Sequence, residues 1–342
     1  MKHPLSYVAV SGFGWSGSSA VVDLLREFEG YISPGFEFSL IKEPYGIIDL
    51  ENFLVDNWDV IRHDHAIKLF LEFCKILNRP YSYVGKWGLN IGVKLNTNFL
   101  QESYNYIDKL SDFTYKGNSR IDHYSLNNFQ SLFKKIQRRM GISSASIRTR
   151  IFSKPDSKKF IEETQLYINN LFLEFANNNN CSNIILDQAI PTSNISRSLR
   201  YFERIKLILV DRDPRDIYID LINQKAMLGQ SYSDKEMLDK YLIWHTKIRS
   251  NIYEINSLKF LDGKILQVKF EDLIINYEAT REMISNFLNI SAIKTKHNCK
   301  LYFDPVRSNK NIELWKSWAN QDEMELIKNR LIDNKCKSKY DV

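Results

Sequence analysis

Apolar residues fall into two kinds of stretch along this chain. Short, continuous runs of β-prone residues at 7–10, 183–186, 207–210 and 263–270 predict buried strands. Between them, apolar positions recur every three or four residues. Val21, Leu24, Leu25 and Phe28 predict one helix, and Ile61, His65, Leu69, Phe73 and Leu77 predict another over 59–79. Further helices are predicted over 124–141, 156–177, 192–202, 234–258, 277–288 and 322–331, with Thr192 or Ser193 capping the third of these at its start. Strands alternating with helices predict an α/β fold.

Two polar stretches interrupt this pattern at places where chemistry is expected. The first is the small-residue turn from Ser11 to Ser19, between the first strand and the first helix. Unpaired amides at a helix N-terminus, next to glycines without a Cβ, can close around an anion, so a phosphate or sulfate is the expected ligand. Gly12 and Gly17 match the spacing that opens a P-loop, but Ser18 follows where a nucleotidase carries its phosphate-binding lysine. The second stretch is Arg212-Asp-Pro-Arg-Asp216. Asp213 suits an N-cap and Pro214 the first helical position. Arg212 then stands at the carboxyl end of a strand, where open α/β sheets bind ligands.

At these two stretches the chain resembles the sulfotransferases that use 3′-phosphoadenosine 5′-phosphosulfate. The family's turn for the 5′-phosphosulfate is matched by Gly12-Phe-Gly-Trp-Ser-Gly-Ser-Ser19, and its segment for the 3′-phosphate by Arg212 to Asp216. Phe270-Glu-Asp-Leu273 and Ser308-Asn-Lys-Asn-Ile-Glu-Leu-Trp-Lys316 resemble two later family segments, the second being the loop that closes over the nucleotide. The resemblance implies a single mainly parallel sheet flanked by helices, P-loop-like in topology, within one domain spanning 1–342. A helical insertion on the acceptor side is expected over about residues 50–180.

It further implies sulfuryl transfer from this donor to a hydroxyl, on a carbohydrate, leaving adenosine 3′,5′-bisphosphate. Donor contacts are expected from Gly14, Trp15, Ser16, Gly17, Ser18, Ser19, Arg212 and Asp220, with Lys310 or Lys316 closing over the nucleotide. A sugar hydroxyl is a poor nucleophile until its proton is removed. Glu37 is the residue best placed by spacing for that role, Glu43 is the second candidate, and His63 or His65 is the fallback. His-x-His on a helix points the two rings about 200° apart, which disfavours one shared metal.

Two positions depart from the family pattern. Trp15 stands where the family has a cation, and Asp220 stands where it has a serine beside the 3′-phosphate. A carboxylate next to a phosphate is repulsive unless a cation lies between them. Lys42, Lys86, Lys94 and Lys310 are candidates to replace the lost cation. Two other readings stay open: a nucleotide- or glycan-binding protein of the same fold without catalysis, and a nucleoside-triphosphate-dependent kinase or hydrolase.

Composition narrows the class further. The chain has 342 residues, 44% of them hydrophobic, and a net charge of +6, which suits a globular protein with an ample core. Its basic residues are scattered, so no nucleic-acid partner is expected. Arg138, Arg139, Arg148, Arg150, Lys154, Lys158 and Lys159 form a basic segment that suits an anionic acceptor or peripheral contact with a membrane. Tyr81, Tyr83, Trp87, Tyr104, Tyr106, Tyr115 and Tyr124 suit either sugar stacking or an aromatic core. Four well-separated cysteines, Cys74, Cys181, Cys299 and Cys336, predict neither zinc nor a disulfide framework. The apolar stretch near the start is too short for a signal peptide or a membrane span, and a cytoplasmic enzyme is expected.

Overall fold

The computed structural model describes residues 4–80, 88–117, 128–140, 148–225, 234–250, 263–290 and 300–333. Tyr81, Tyr83, Lys86, Trp87, Tyr124, Cys299 and Cys336 lie outside the described residues, as do 251–258 of the helix expected over 234–258. The chain divides into two compact units, one made of Met1–Ile41 with Leu173–Val342 and the other of Lys42–Phe172.

In chain order the strands are β1 (Ser6–Gly12), β2 (Tyr31–Ile32), β3 (Phe113–Gly117), β4 (Arg148–Phe152), β5 (Asn183–Asp187), β6 (Ile205–Asp211) and β7 (Ile265–Lys269). The first unit is built on a five-stranded sheet in the order β2-β5-β1-β6-β7, parallel throughout. Val8, Ala9 and Val10 of β1 and Leu207 to Val210 of β6 are nearly all fully buried. Central strands of a parallel sheet are covered on both faces, which is why they read as continuous apolar runs. The register sets Val10 level with Asp187 on one side and with Ile208 on the other, so the chain leaves β1 beside the ends of both neighbours. From β1 the next strand in sequence goes to one edge, while β6 and β7 build the opposite side. This is the switch point at which open sheets of this kind bind ligands.

Helices Ser18–Arg26, Phe270–Ile275 and Tyr277–Leu288 cover one face through Val21, Leu24, Leu25, Leu273 and Ile284. A second buried cluster joins helix Pro214–Asn223 to helices Asp234–Arg249 and Gln321–Ile327 through Ile217, Leu221, Tyr241 and Ile327. The helix expected from Thr192 or Ser193 to residue 202 spans only Ile195–Leu199, with Asn194 at its N-cap. The amide of Asn194 is turned back onto the Pro191 carbonyl, and residues 200–202 close with tighter three-residue bonds.

The second unit contains helices Ile47–Glu51, Arg62–Leu77, Ile91–Lys94, Phe99–Leu110 and Asn128–Arg139. It also contains the antiparallel pair β3–β4, which the helical expectation for this region had not included. The residues of β3 are mostly polar and exposed, so no apolar run marks it. The pair is held instead by Phe113 stacked on Phe152 at 4.7 Å and by Asp64, which accepts from the Ile151 amide at 3.0 Å and pairs with Arg150. Tyr106 stacks on Tyr167 at 4.5 Å inside this unit, so it is a core residue, whereas Tyr104 and Tyr115 are exposed. His63 is buried between Trp58 and Phe152, with ring centroids 5.5 and 5.2 Å away.

Candidate functional site

The turn after β1 is a cradle of backbone amides. Gly14, Trp15 and Gly17 all have positive φ, with Gly17 serving as N-cap of helix Ser18–Arg26. That backbone course leaves the amides of residues 14–19 without an acceptor among the described residues. Gly17 is required for a second reason, because a Cβ there would lie 2.3 Å from Cδ2 of Phe270. The serines differ in their surroundings. Ser16 is buried and its hydroxyl accepts from the Phe13 amide at 3.2 Å, while the Ser18 hydroxyl accepts from Gln188 Nε2 at 2.6 Å. Ser19 opens to the cavity.

Gln188 stands just past β5 with φ of 50° and carries both sides of the turn, since its Oε1 also accepts from the Gly12 amide at 3.4 Å. Glu37 makes a parallel bridge with Asp187, the residue before it, and the Phe38 amide donates to the Asp187 carbonyl at 3.0 Å. Glu37 is therefore an exposed residue at the carboxyl end of β5, the strand next to β1. Glu43 is exposed and belongs to the second unit.

Beyond β6 the basic turn is rigidly braced. Asp213 caps helix Pro214–Asn223 by accepting from the Arg215 amide at 2.8 Å, and it also holds the Arg215 guanidinium. The Asp213 amide donates to Glu271 at 2.8 Å, so the Phe270-Glu271 segment supports both turns, packing at Gly17 and bonding at Asp213. Arg212 points into the cavity wall with its side chain only 4% exposed. It donates to the Trp15 carbonyl at 3.2 Å, to the Asn311 carbonyl at 2.5 Å and to the Asp220 carboxylate. Its Nε is buried without a partner. The Trp15 indole donates to Gln224 at 3.0 Å and packs with the cluster around helix Pro214–Asn223.

Trp15, Gly17, Ser19, Arg212 and Asp220 line a cavity of about 460 Å³ together with Ala20, Asp23, Gln224, Phe270 and residues of the segment from Lys300 to Asn311. Glu27, buried at the far end of helix Ser18–Arg26, collects the amides of Lys300, Tyr302 and Phe303 and so fixes that segment. Asp216 holds the next segment by accepting from the amides of Glu313 at 2.8 Å and Trp315 at 3.2 Å. Burial raises the pKa of Asp216, opposed by these two bonds, and burial likewise raises that of Glu271. Among the described residues, the lining side chains carry three cations, Arg212, Lys300 and Arg307, against three carboxylates, Asp23, Asp220 and Asp304.

Of the donor residues expected from the sequence, Trp15, Gly17, Ser19, Arg212 and Asp220 meet at this cavity, whereas Gly14, Ser16 and Ser18 stand behind it in the turn. Lys310 and Lys316 are exposed and do not line it, and Lys316 pairs with Glu313 at 2.6 Å. Sequence reasoning missed Asp23, Lys300, Tyr302 and Arg307, and it put Gln188 only at a strand end facing the site, without its bonds to the turn. Arg307 had a readable signal: Asp304-Pro305 begins a helical turn with the Asp304 side chain accepting from the Val306 amide, as Asp213-Pro214 does earlier.

An amide-lined turn and an anchored arginine at the switch point of a parallel sheet define an α/β protein built to hold an oxyanion. A family model described as "Sulfotransferase family" matches residues 104–294, more than half of the chain, and the chain belongs to this family. Its activity class is accordingly sulfotransfer. Among solved structures it is similar to the sulfotransferase domain of the Synechococcus olefin synthase, at 13% identity over 96% of this chain and 94% of that one, with a TM-score of 0.41. It is similar also to the sulfotransferase domain of the curacin biosynthetic pathway, at 14% identity, 97% and 98% coverage and a TM-score of 0.43. A third similar structure, a sulfotransferase of Mycobacterium avium, has 10% identity, 100% and 79% coverage and a TM-score of 0.37. No curated protein matches the chain.

Proposed function

We propose that this chain transfers a sulfuryl group from 3′-phosphoadenosine 5′-phosphosulfate to a hydroxyl, on a carbohydrate, and that residues 1–342 act as one functional domain. The observation that carries this reading is that the 14–19 turn, whose amides have no acceptor among the described residues, opens through Trp15, Gly17 and Ser19 onto the same cavity as Arg212. The cavity fits such a donor: about 460 Å³ accommodates a nucleotide, and amide donors meet an anion without a charged side chain. When bound, the donor supplies the sulfuryl group and a bisphosphate leaving group.

The chain's own residues then have distinct tasks. The amides of residues 14–19, with the Ser19 hydroxyl, hold the oxygens at the 5′ end, where preorganised donors act most strongly on developing charge. Arg212 faces the 3′-phosphate, with Lys300 and Arg307 as further cations in the lining. Glu37 takes the proton of the acceptor hydroxyl as that oxygen attacks.

Calorimetric titration with adenosine 3′,5′-bisphosphate, alongside ATP with Mg²⁺, tests the donor. Binding of the bisphosphate alone, with turnover of the full donor that is lost in Glu37→Gln, is the expected result. Absence of bisphosphate binding overturns the reading. A second reading, a binding protein without catalysis, is favoured by the indole at Trp15 and by the pairing of Arg212 with Asp220. Tight bisphosphate binding with no turnover on any hydroxyl acceptor would select it.

A further inference from the structure

Helix Asn128–Arg139 presents an apolar stripe to solvent. Phe129 is followed three and four residues on by Leu132 and Phe133, these by Ile136 and that by Met140, which places all five on one side of the helix. In a globular protein such a stripe faces the core, yet these five are 79, 57, 55, 46 and 66% exposed. Residues 128–140 also carry Lys134, Lys135, Arg138 and Arg139 and no carboxylate. Lys135 and Arg139 are exposed as well.

We propose that this helix is an interfacial anchor that lies flat on an anionic lipid surface. Large apolar side chains along one face of a helix rich in Lys and Arg are the composition that seats a helix at the boundary of headgroups and acyl chains. Charge complementarity selects the partner: a sequence of 13 residues with four cations and no Asp or Glu favours a sheet of phosphate headgroups. At 12 residues the helix is roughly 18 Å long, against about 30 Å of hydrocarbon, so it lies along a bilayer and does not cross it. No helix among the described residues is long and apolar enough to cross. The proposal is independent of the donor and acceptor discussed above.

Co-sedimentation of the full chain with vesicles tests it. Binding is expected to vesicles containing phosphatidylglycerol, at least about tenfold stronger than to pure phosphatidylcholine, and to weaken several-fold as salt rises from 0.1 to 0.5 M. Leu132→Asp with Phe133→Asp should abolish binding, and Lys135→Glu with Arg139→Glu should abolish the preference for anionic lipid. Because all four positions are exposed, both variants should keep the far-ultraviolet circular dichroism of the parent. Equal, weak binding to both lipids overturns the proposal, as does anionic-vesicle binding that survives the aspartates. Sedimentation velocity adds a third test: self-association in buffer that the aspartates remove would assign the face to a second copy of the chain and overturn it.

Discussion

Arg212 and Asp220 form an ion pair in the wall of the cavity, with side chains 4% and 24% exposed. The arginine reaches over helix Pro214–Asn223 to the position where its resemblance to known sulfotransferases leads one to expect a serine. A ligand phosphate at this wall has to share the guanidinium with a carboxylate. Asp220→Ala is therefore expected to tighten adenosine 3′,5′-bisphosphate by about 1–2 kcal/mol, and Arg212→Ala to weaken it by about 1.5–3 kcal/mol, both read by calorimetry. An affinity indifferent to both changes would make Arg212 a purely structural brace.

Asp216 links helix Pro214–Asn223 to the 313–315 segment, and its raised pKa gives a pH signature. The folded chain holds this proton to higher pH than the unfolded chain does. The group's contribution to stability is thus full below its ordinary pKa of about 3.9 and is lost as pH rises through the folded value. Asp216→Asn cannot ionise, so the stability gap between parent and variant should narrow from pH 4 upward. Glu271 has the same sign, raised mainly by burial in both proteins; the Asp216 charge is the least of its causes, and losing it in the variant acts in the same direction. Thermal melts at pH 4, 5, 6 and 7 check this, and a gap that widens with pH would refute it.

Gly17 and Gly35 both have positive φ, but only Gly17 has a neighbour in the way of a Cβ. Gly35→Ala should cost about 1–2 kcal/mol, the penalty of left-handed backbone alone. Gly17→Ala should cost about 2–4 kcal/mol, because overpacking against Phe270 is added. Chemical denaturation of the two variants gives the difference directly. Equal losses would mean that the Phe270 ring moves aside freely.

Glu27 accepts three backbone amides, and a glutamine there would present one acceptor oxygen and a competing NH₂ group. Glu27→Gln is expected to destabilise the chain by about 1–3 kcal/mol. It should also speed hydrogen exchange at Lys300, Tyr302 and Phe303 while leaving β1 protected. Unchanged exchange at those three amides would show that the segment is held by other contacts.

The parts of this fold that were legible in the sequence are those whose signal is local. Val8 to Val10 and Leu207 to Val210 are continuous apolar runs because both sheet faces are covered, and Asp213-Pro214 marks a helix start through its own side chain and ring. Helix Tyr277–Leu288 has the boundaries that its periodicity predicts. The pair β3–β4 was hidden because its stability comes from Phe113 against Phe152 and from Asp64 holding Arg150, contacts far apart in sequence. At the site, Trp15, Gly17, Ser19, Arg212 and Asp220 could be placed by pattern. Gln188 could not, since its work at the turn depends on β5 lying beside β1 and on a positive φ that its residue type does not announce.

The balance of three cations and three carboxylates among the described residues of the cavity has a kinetic side. A funnel lined by one sign of charge draws its ligand from a distance and loses that advantage in salt. Here opposite charges sit within a few ångströms of each other, so their fields cancel beyond about a Debye length of 8–10 Å. The lining itself therefore gives an approaching anion little guidance, and holds it on contact through the turn amides and Arg212. Its share in capture should change little between dilute buffer and concentrated salt.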